Sequence, residues 1–182
     1  VYLDYLDKDE QKNSLKLIKK KDQYYINGSL FNANNLIDNL LTNDDKKNNI
    51  ININNKINID IEKILLDKEH YLLDFSGVVL LKNKEIFKAN LNGNFSNNKK
   101  LKFTINSLGD NRVTTLYVDE AEPIVRRYKF ITGFEEGLLD FYSSKKSDES
   151  RSQLKIYNFK LKELPLLTKI LTLASLQGIA DI

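Results

Sequence analysis

The residue types that most often perform catalysis or bind metal ions are sparse in this chain. His70 is the only histidine, and cysteine is absent. This composition excludes disulfides, thiolate nucleophiles and thiolate metal sites, and it removes histidine clusters and most schemes in which a histidine activates a nucleophile. His70 follows Asp67, Lys68 and Glu69 in a polar segment, which predicts a surface turn rather than a catalytic group.

Carboxylates are the remaining candidates for acid–base chemistry. Acidic pairs occur at 44–45, 135–136 and 148–149, and each has the sequence context of a solvated loop. The 7 glycines are dispersed and form no phosphate-binding motif. We therefore interpret the chain as non-enzymatic and expect no metal ion and no cofactor. A carboxylate-based hydrolase is kept as an alternative hypothesis, and a pocket that gathers several acidic residues would support it.

The charge balance argues against a nucleic-acid partner. The 182 residues carry a net charge of only +3, and the arginines are scattered. No basic run is interleaved with aromatic residues, so the lysines are interpreted as a solvated surface. The abundance of Asn, Ile and Lys is explained by an AT-rich genome without reference to function.

Alternation of apolar and polar residues dominates the middle of the chain. It runs through 57–62, 87–95 and 101–106, and short polar turns separate these segments. Because strand side chains point alternately to opposite faces, each segment predicts a strand with one apolar and one polar face. Residues 71–81 are more continuously apolar, with Gly77 as a candidate bulge. We predict a central β-meander over 57–118.

Three helices are predicted around this meander. The first helix, about 33–41, follows Asn32 as a candidate N-cap. The second follows Asp119, with Glu122 completing a capping box, and runs to about 128. The third starts near 164–165 and continues to the end of the chain. Pro123 and Pro165 fall in or near first turns. A hairpin of 137–144 and 153–159 lies between the last two helices, so 119–182 forms a helix–hairpin–helix segment. Residues 43–56 are interpreted as a low-complexity loop.

The predicted fold class is α+β and β-dominated: a curved antiparallel meander with about three short helices packed on it or capping it. Such a sheet must cover its apolar face with helices, another sheet or a ligand. An acyl chain is one candidate, because burying about sixteen CH₂ groups contributes on the order of 10 kcal/mol without any specific polar contact. The candidate lipid-contact residues are Phe87, Leu91, Phe95, Leu101, Phe103 and Ile105.

Several segments resemble large AsmA-like bacterial envelope proteins of the YhdP type. The segments 118–126 and 137–141 are similar to a strand that ends in acidic residues, followed by a short helix and a strand that starts with glycine. The segment 157–167 is similar to that family's strand followed by x-x-P-L-L, and 171–181 (LTLASLQGIAD) is similar to its L-x-L-A-S-L-x-G-apolar-x-D stretch. Upstream, 25–33 resembles its glycine-containing entry to a helix, with Asn32 in place of the usual Asp. These motifs are structural, so no binding residue is carried over.

The resemblance implies a function in lipid movement. It implies that 1–182 is a single fragment of a larger periplasmic region, since both ends look cut, and that the parent is anchored in the inner membrane by a segment outside this chain. The implied partner is phospholipid or another acyl lipid, guided along an apolar β-groove toward the outer membrane; other envelope partners are not identified. The alternative is a structural or interaction module with a sealed core and no ligand.

Overall fold

A computed structural model of the chain describes residues 1–6, 10–35, 55–82, 85–96, 98–127, 133–147 and 149–162. They form one 10-stranded sheet and a short helix, α1 (Glu122–Val125), which lies between the eighth and ninth strands. The strands are β1 (Tyr2–Leu6), β2 (Lys12–Lys20), β3 (Gln23–Asn32), β4 (Lys56–Leu65), β5 (Tyr71–Lys82), β6 (Glu85–Phe95), β7 (Lys100–Leu108), β8 (Asn111–Val118), β9 (Phe134–Lys146) and β10 (Glu149–Leu161).

The strands follow one another across the sheet in chain order, and β1 and β10 are its two edges. Every neighbouring pair is antiparallel except β3 and β4, which are parallel. The prediction of a β-dominated fold is confirmed. The prediction of a purely antiparallel sheet is wrong, because the chain returns to the start of β3 before β4 begins. The strands β4 to β8 extend from Lys56 to Val118 and pair antiparallel throughout.

The prediction of about three helices is wrong for the part of the chain that the structure describes, in which α1 is the one helix with both ends described. The predicted helices at 33–41 and from 164 onward, and most of the 43–56 loop, lie outside the described residues. Residues 34 and 35 are described and are helical. The Oδ1 atom of Asn32 accepts a hydrogen bond from the N–H of Asn34 at 3.0 Å, as an N-cap does.

The helix α1 is shorter than the predicted segment because no capping box forms. Asp119 instead accepts the backbone N–H of Lys100 at 2.9 Å, and Glu122 pairs with Arg126 at 2.9 Å. Pro123 does lie in the first turn, where its missing N–H costs little. A second structural reason for the short helix is Ala121, which occupies the N-cap without a side-chain hydrogen bond.

The larger of two buried clusters lies at one end of the sheet, which we call the helix end because α1 packs there against β9. Its buried side chains come from the ends of strands that are distant in sequence, and they include Leu72 at 2% and Val118 at 0% exposure. The other buried residues of this cluster are Ala33, Ile61, Ile64, Leu66, Phe95, Ala121, Val125, Phe134 and Leu139. The opposite end, where the β5–β6, β7–β8 and β9–β10 turns lie, is called the far end.

Gly77 marks a close approach between β5 and β6. Its φ is +153°, and a Cβ atom built there would lie 2.0 Å from the carbonyl oxygen of Asn90. The register of β5 against β6 shifts between Leu73 and Ser76, so the bulge precedes Gly77 instead of containing it. The glycine is required because the neighbouring backbone occupies the space of a side chain.

Gly77→Ala is therefore expected to lower the free energy of unfolding by about 2–3 kcal/mol, since the methyl group must displace the β6 backbone. Urea unfolding followed by circular dichroism measures the change. The control is Gly109→Asn in the β7–β8 turn, where φ is +57° and no atom lies within 4 Å; asparagine tolerates that conformation. Equal losses at the two positions would contradict the close approach.

Candidate functional site

One cross-strand row of residues on the sheet is apolar from β2 to β10. Residues directly opposite each other on neighbouring strands share a face, so the register places this row on one side of the sheet. The apolar row consists of Leu17, Ile26, Ile59, Gly77, Leu91, Phe103, Leu116, Phe141 and Leu154. The side of the sheet that carries it is called the apolar face.

The opposite face is polar at neighbouring positions. One of its rows consists of Asp60, Ser76, Asn92, Lys102, Tyr117, Asp140 and Lys155. Beside it, Thr104 and Thr115 hydrogen bond through their hydroxyls at 2.7 Å. The sheet is thus amphipathic, although its strands come from distant parts of the chain. Exposure of the apolar face to water is unfavourable.

The apolar row is only half-buried. Leu91, Phe103, Leu116 and Phe141 all have intermediate exposure, and Leu154 is 55% exposed. Among the described elements, each strand makes extensive contacts only with its neighbours in the sheet, and α1 packs mainly on β9. Within the described residues, no helix or second sheet packs over the middle of the apolar face, and the next row toward the far end, Val79, Ala89 and Ile105, is buried at 9% exposure or less.

Polar contacts around α1 connect it to other segments at the helix end. Arg127 donates hydrogen bonds to the backbone carbonyl oxygens of Asn34, at 3.2 Å, and of Leu66. Arg126 pairs with Glu69 at 2.8 Å. Since these partners follow β3 and β4, the residues after β8 bind segments that belong to the other half of the sheet. Charge-assisted bonds of this kind fix α1 over the buried cluster.

Five of the six predicted lipid-contact residues lie on the apolar face. Leu91 and Phe103 belong to the apolar row, and Ile105 lies in the next row toward the far end, opposite Ala89. Leu101 lies one row toward the helix end, opposite Val118. Phe95, which is 5% exposed, packs in the cluster at the helix end.

The sixth residue, Phe87, lies at an irregular position. Leu80 pairs with Lys88 and Leu81 pairs with Ile86, so Phe87 has no partner on β5. Its ring lies under the ammonium of Lys82, 3.9 Å from the ring centroid. Ile86, which the sequence analysis did not select, packs with Leu81 in a second buried cluster. A bulge makes two residues of one strand oppose one of its neighbour, and alternation alone does not reveal it.

The polar residues considered for catalysis have structural partners. The predicted turn at His70 is present: its Nδ1 lies 2.9 Å from the carboxylate of Asp67, which also accepts the backbone N–H groups of Glu69 and His70. This is a local turn network. In the described part of the chain, no group of three or more potential metal ligands is gathered.

The acidic pair at 135–136 was expected in a loop, and that expectation is wrong. Both residues lie in β9, where Glu135 pairs with Lys162 and Glu136 with Lys160 on and after β10. The hydrogen bond from Lys160 lowers the pKa of Glu136. The strands β9 and β10 are longer than the predicted hairpin because these cross-strand pairs continue the sheet. Of the other pairs, only Glu149, at the start of β10, is described.

Two tyrosines on the opposite face have raised pKa values. A hydrogen bond to Asp119 raises the pKa of Tyr117 to about 12. The hydroxyl of Tyr157 donates to Asp140 at 2.8 Å, and this bond raises the pKa of Tyr157. Both tyrosines therefore stay protonated at neutral pH and act as donors. They order the outer surface of β8 to β10 and offer no acid or base near pH 7.

The chain was compared with protein-family models, curated proteins and solved structures, and none of them matches. In the part of the chain that the structure describes, no helix has the length and apolar character needed to cross a bilayer. In the described part of the chain, the fold and site define a β-dominated single sheet that is not closed and has one apolar face, with α1 packed at one end.

Proposed function

We propose that this chain holds or guides acyl lipid along its apolar face, as a non-enzymatic segment of an envelope protein similar to the AsmA-like group. The observation that carries the proposal is the half-buried apolar row from β2 to β10. At about 4.8 Å per strand, the row extends over roughly 38 Å, which exceeds the length needed for one acyl chain buried in a bilayer leaflet of about 15 Å.

The chemistry of the row suits a lipid better than a polar substrate. Aliphatic and aromatic side chains without hydrogen-bonding groups bind by area alone, at about 0.8 kcal/mol per buried CH₂. Such a surface selects a ligand for its apolar character and its length, and it allows the ligand to slide. The polar opposite face keeps the other side of the sheet in water. In the parent protein, the proposed location is the periplasmic side of the inner membrane, with phospholipid moving toward the outer membrane.

The test is lipid capture by the purified chain. The chain is incubated with vesicles of dioleoyl phosphatidylglycerol, separated from them, and weighed by native mass spectrometry. The proposal predicts an added mass of one or more lipids at near-stoichiometric occupancy. A mass that stays that of the bare chain after incubation would contradict lipid binding by this segment.

A second function is favoured by the outer edge of β10. This strand has 13 residues, is exposed along almost its whole length, and pairs with no other described strand on its outer side. Leu154, Tyr157 and Phe159 are between 36% and 55% exposed on it. A long exposed edge is a template for strand addition, so an interaction module is the alternative. A bare mass together with a concentration-dependent dimer in light scattering would favour that alternative.

A further inference from the structure

The apolar face changes character toward the far end, and it changes most on β8 and β9. One row beyond the apolar row, Ile105 is followed by Thr114, Ser143 and Ser152 on the next three strands. One row further, Ser107 lies opposite Arg112, Arg112 opposite Lys145, and Lys145 opposite Ser150. The same side of the sheet thus passes from apolar side chains, through hydroxyls, to cations.

The pair Arg112 and Lys145 is unusual because like charges directly opposite on neighbouring strands destabilise a sheet. On the opposite face of the same end, Lys146 lies opposite Glu149, so that cation has an acidic neighbour. Within the described residues, Arg112 and Lys145 form no ion pair with a carboxylate. An anion placed between them would turn the repulsion into two charge-assisted hydrogen bonds.

A cavity of about 600 Å³ lies at this position. Its lining includes Arg112, Lys145, Ser107 and Phe87, together with Lys82. Glu85 and Asp110 also line it, so among the described lining residues the cations exceed the acids by one. Arg112 and Ser107 are half-buried while Lys145 is exposed, which leaves the cavity accessible from solvent.

We propose that Arg112 and Lys145 bind the phosphate of a phospholipid whose acyl chains lie on the apolar face toward the helix end. From Arg112 to Leu116 along β8 there are four residues, or about 13 Å, so a lipid held at Arg112 by its phosphate reaches the apolar row with its acyl chains, which then continue along that row. This inference rests on the proposed function and adds the residues that bind the phosphate and the orientation of the lipid. Hydroxyls of Thr114 and Ser143 lie between these cations and the apolar row, where a glycerol ester region follows the phosphate.

The experiment is a competition between two lipids with the same chains. The chain is equilibrated with vesicles that contain equal amounts of dioleoyl phosphatidylglycerol and dioleoylglycerol, which lacks the phosphate, and bound lipid is quantified by native mass spectrometry. We expect about tenfold enrichment of phosphatidylglycerol. Arg112→Gln with Lys145→Gln is expected to abolish the enrichment while dioleoylglycerol still binds. Lys146→Gln with Arg151→Gln removes the same charge from the opposite face of β9 and β10 and is expected to retain it.

Four outcomes would overturn the inference. Equal binding of the two lipids by the unchanged chain, or equal losses in the two double variants, would refute a phosphate site at these cations while the proposed lipid function stands. Binding of water-soluble glycerol 3-phosphate as strongly as of the intact lipid would assign the site to a free phosphate instead. Absence of any bound lipid would refute this inference and the proposed function together.

Discussion

Replacing Leu72 with alanine is expected to lower the free energy of unfolding by about 2–5 kcal/mol. Leu72 is 2% exposed and lies opposite Ile64 on β4 and Phe95 on β6. Its side chain also lies against Gly93, where an added Cβ would come within 3.3 Å of it. Because glycine cannot expand into the space, truncation leaves a cavity in the cluster at the helix end.

The matched control is Leu108→Ala at the end of β7, since Leu108 is 83% exposed. It is expected to change the free energy of unfolding by less than about 0.5 kcal/mol. Urea unfolding of the two variants, followed by circular dichroism, measures the difference. If Leu72→Ala cost no more than Leu108→Ala, the buried cluster at the helix end would not be the main source of stability.

Phe103→Asp is expected to weaken lipid binding about 100-fold, because a charge in contact with acyl chains costs about 2.5–3.5 kcal/mol. Phe103 lies in the middle of the apolar row, between Leu91 and Leu116. It is half-buried and packs against the second buried cluster, so the substitution is expected to cost some stability as well as lipid binding. Titration with dioleoyl phosphatidylglycerol vesicles gives the two dissociation constants.

The control is Lys102→Asp, which introduces the same residue one position earlier on the opposite face of β7. Its lipid binding is expected to change less than about threefold. Should Phe103→Asp also lower the unfolding midpoint, the neutral Phe103→Ser is expected to weaken binding about tenfold at an unchanged fold. Equal weakening by Phe103→Asp and Lys102→Asp would show that the apolar face is not the lipid contact.

Alternation alone identified the strands of the middle of the chain, because a half-buried sheet imposes period two on each strand. The same signal placed Leu91, Leu101, Phe103 and Ile105 on one face before any register was known. It could not predict the parallel pairing of β3 and β4, since side-chain alternation is the same for parallel and antiparallel neighbours. It also missed Glu135 and Glu136 as strand residues, because their lysine partners lie more than twenty residues away.

The sequence analysis also missed the cationic pair at the far end, although the sequence contains a signal for it. Arg112 is in phase with Leu116 and Val118 on β8, and Lys145 is in phase with Leu139 and Phe141 on β9. Each cation thus occupies a position where the alternation predicts an apolar side chain. A solvated surface residue would be expected at the polar positions instead. Only the register of β8 against β9 shows that the two cations are opposite each other, and sequence patterns do not determine the register of strands joined by a long connection.

The most direct measurement is photocrosslinking with a phospholipid that carries a diazirine in one acyl chain. The lipid is delivered from vesicles, the sample is illuminated, and crosslinked residues are mapped by mass spectrometry of peptides. The account predicts crosslinks on Leu91, Phe103, Leu116 and Phe141, all on the apolar face. Crosslinks confined to the opposite face, at Lys102, Thr115 or Tyr142, or no crosslinked peptide at all, would contradict the claim that this sheet holds acyl lipid.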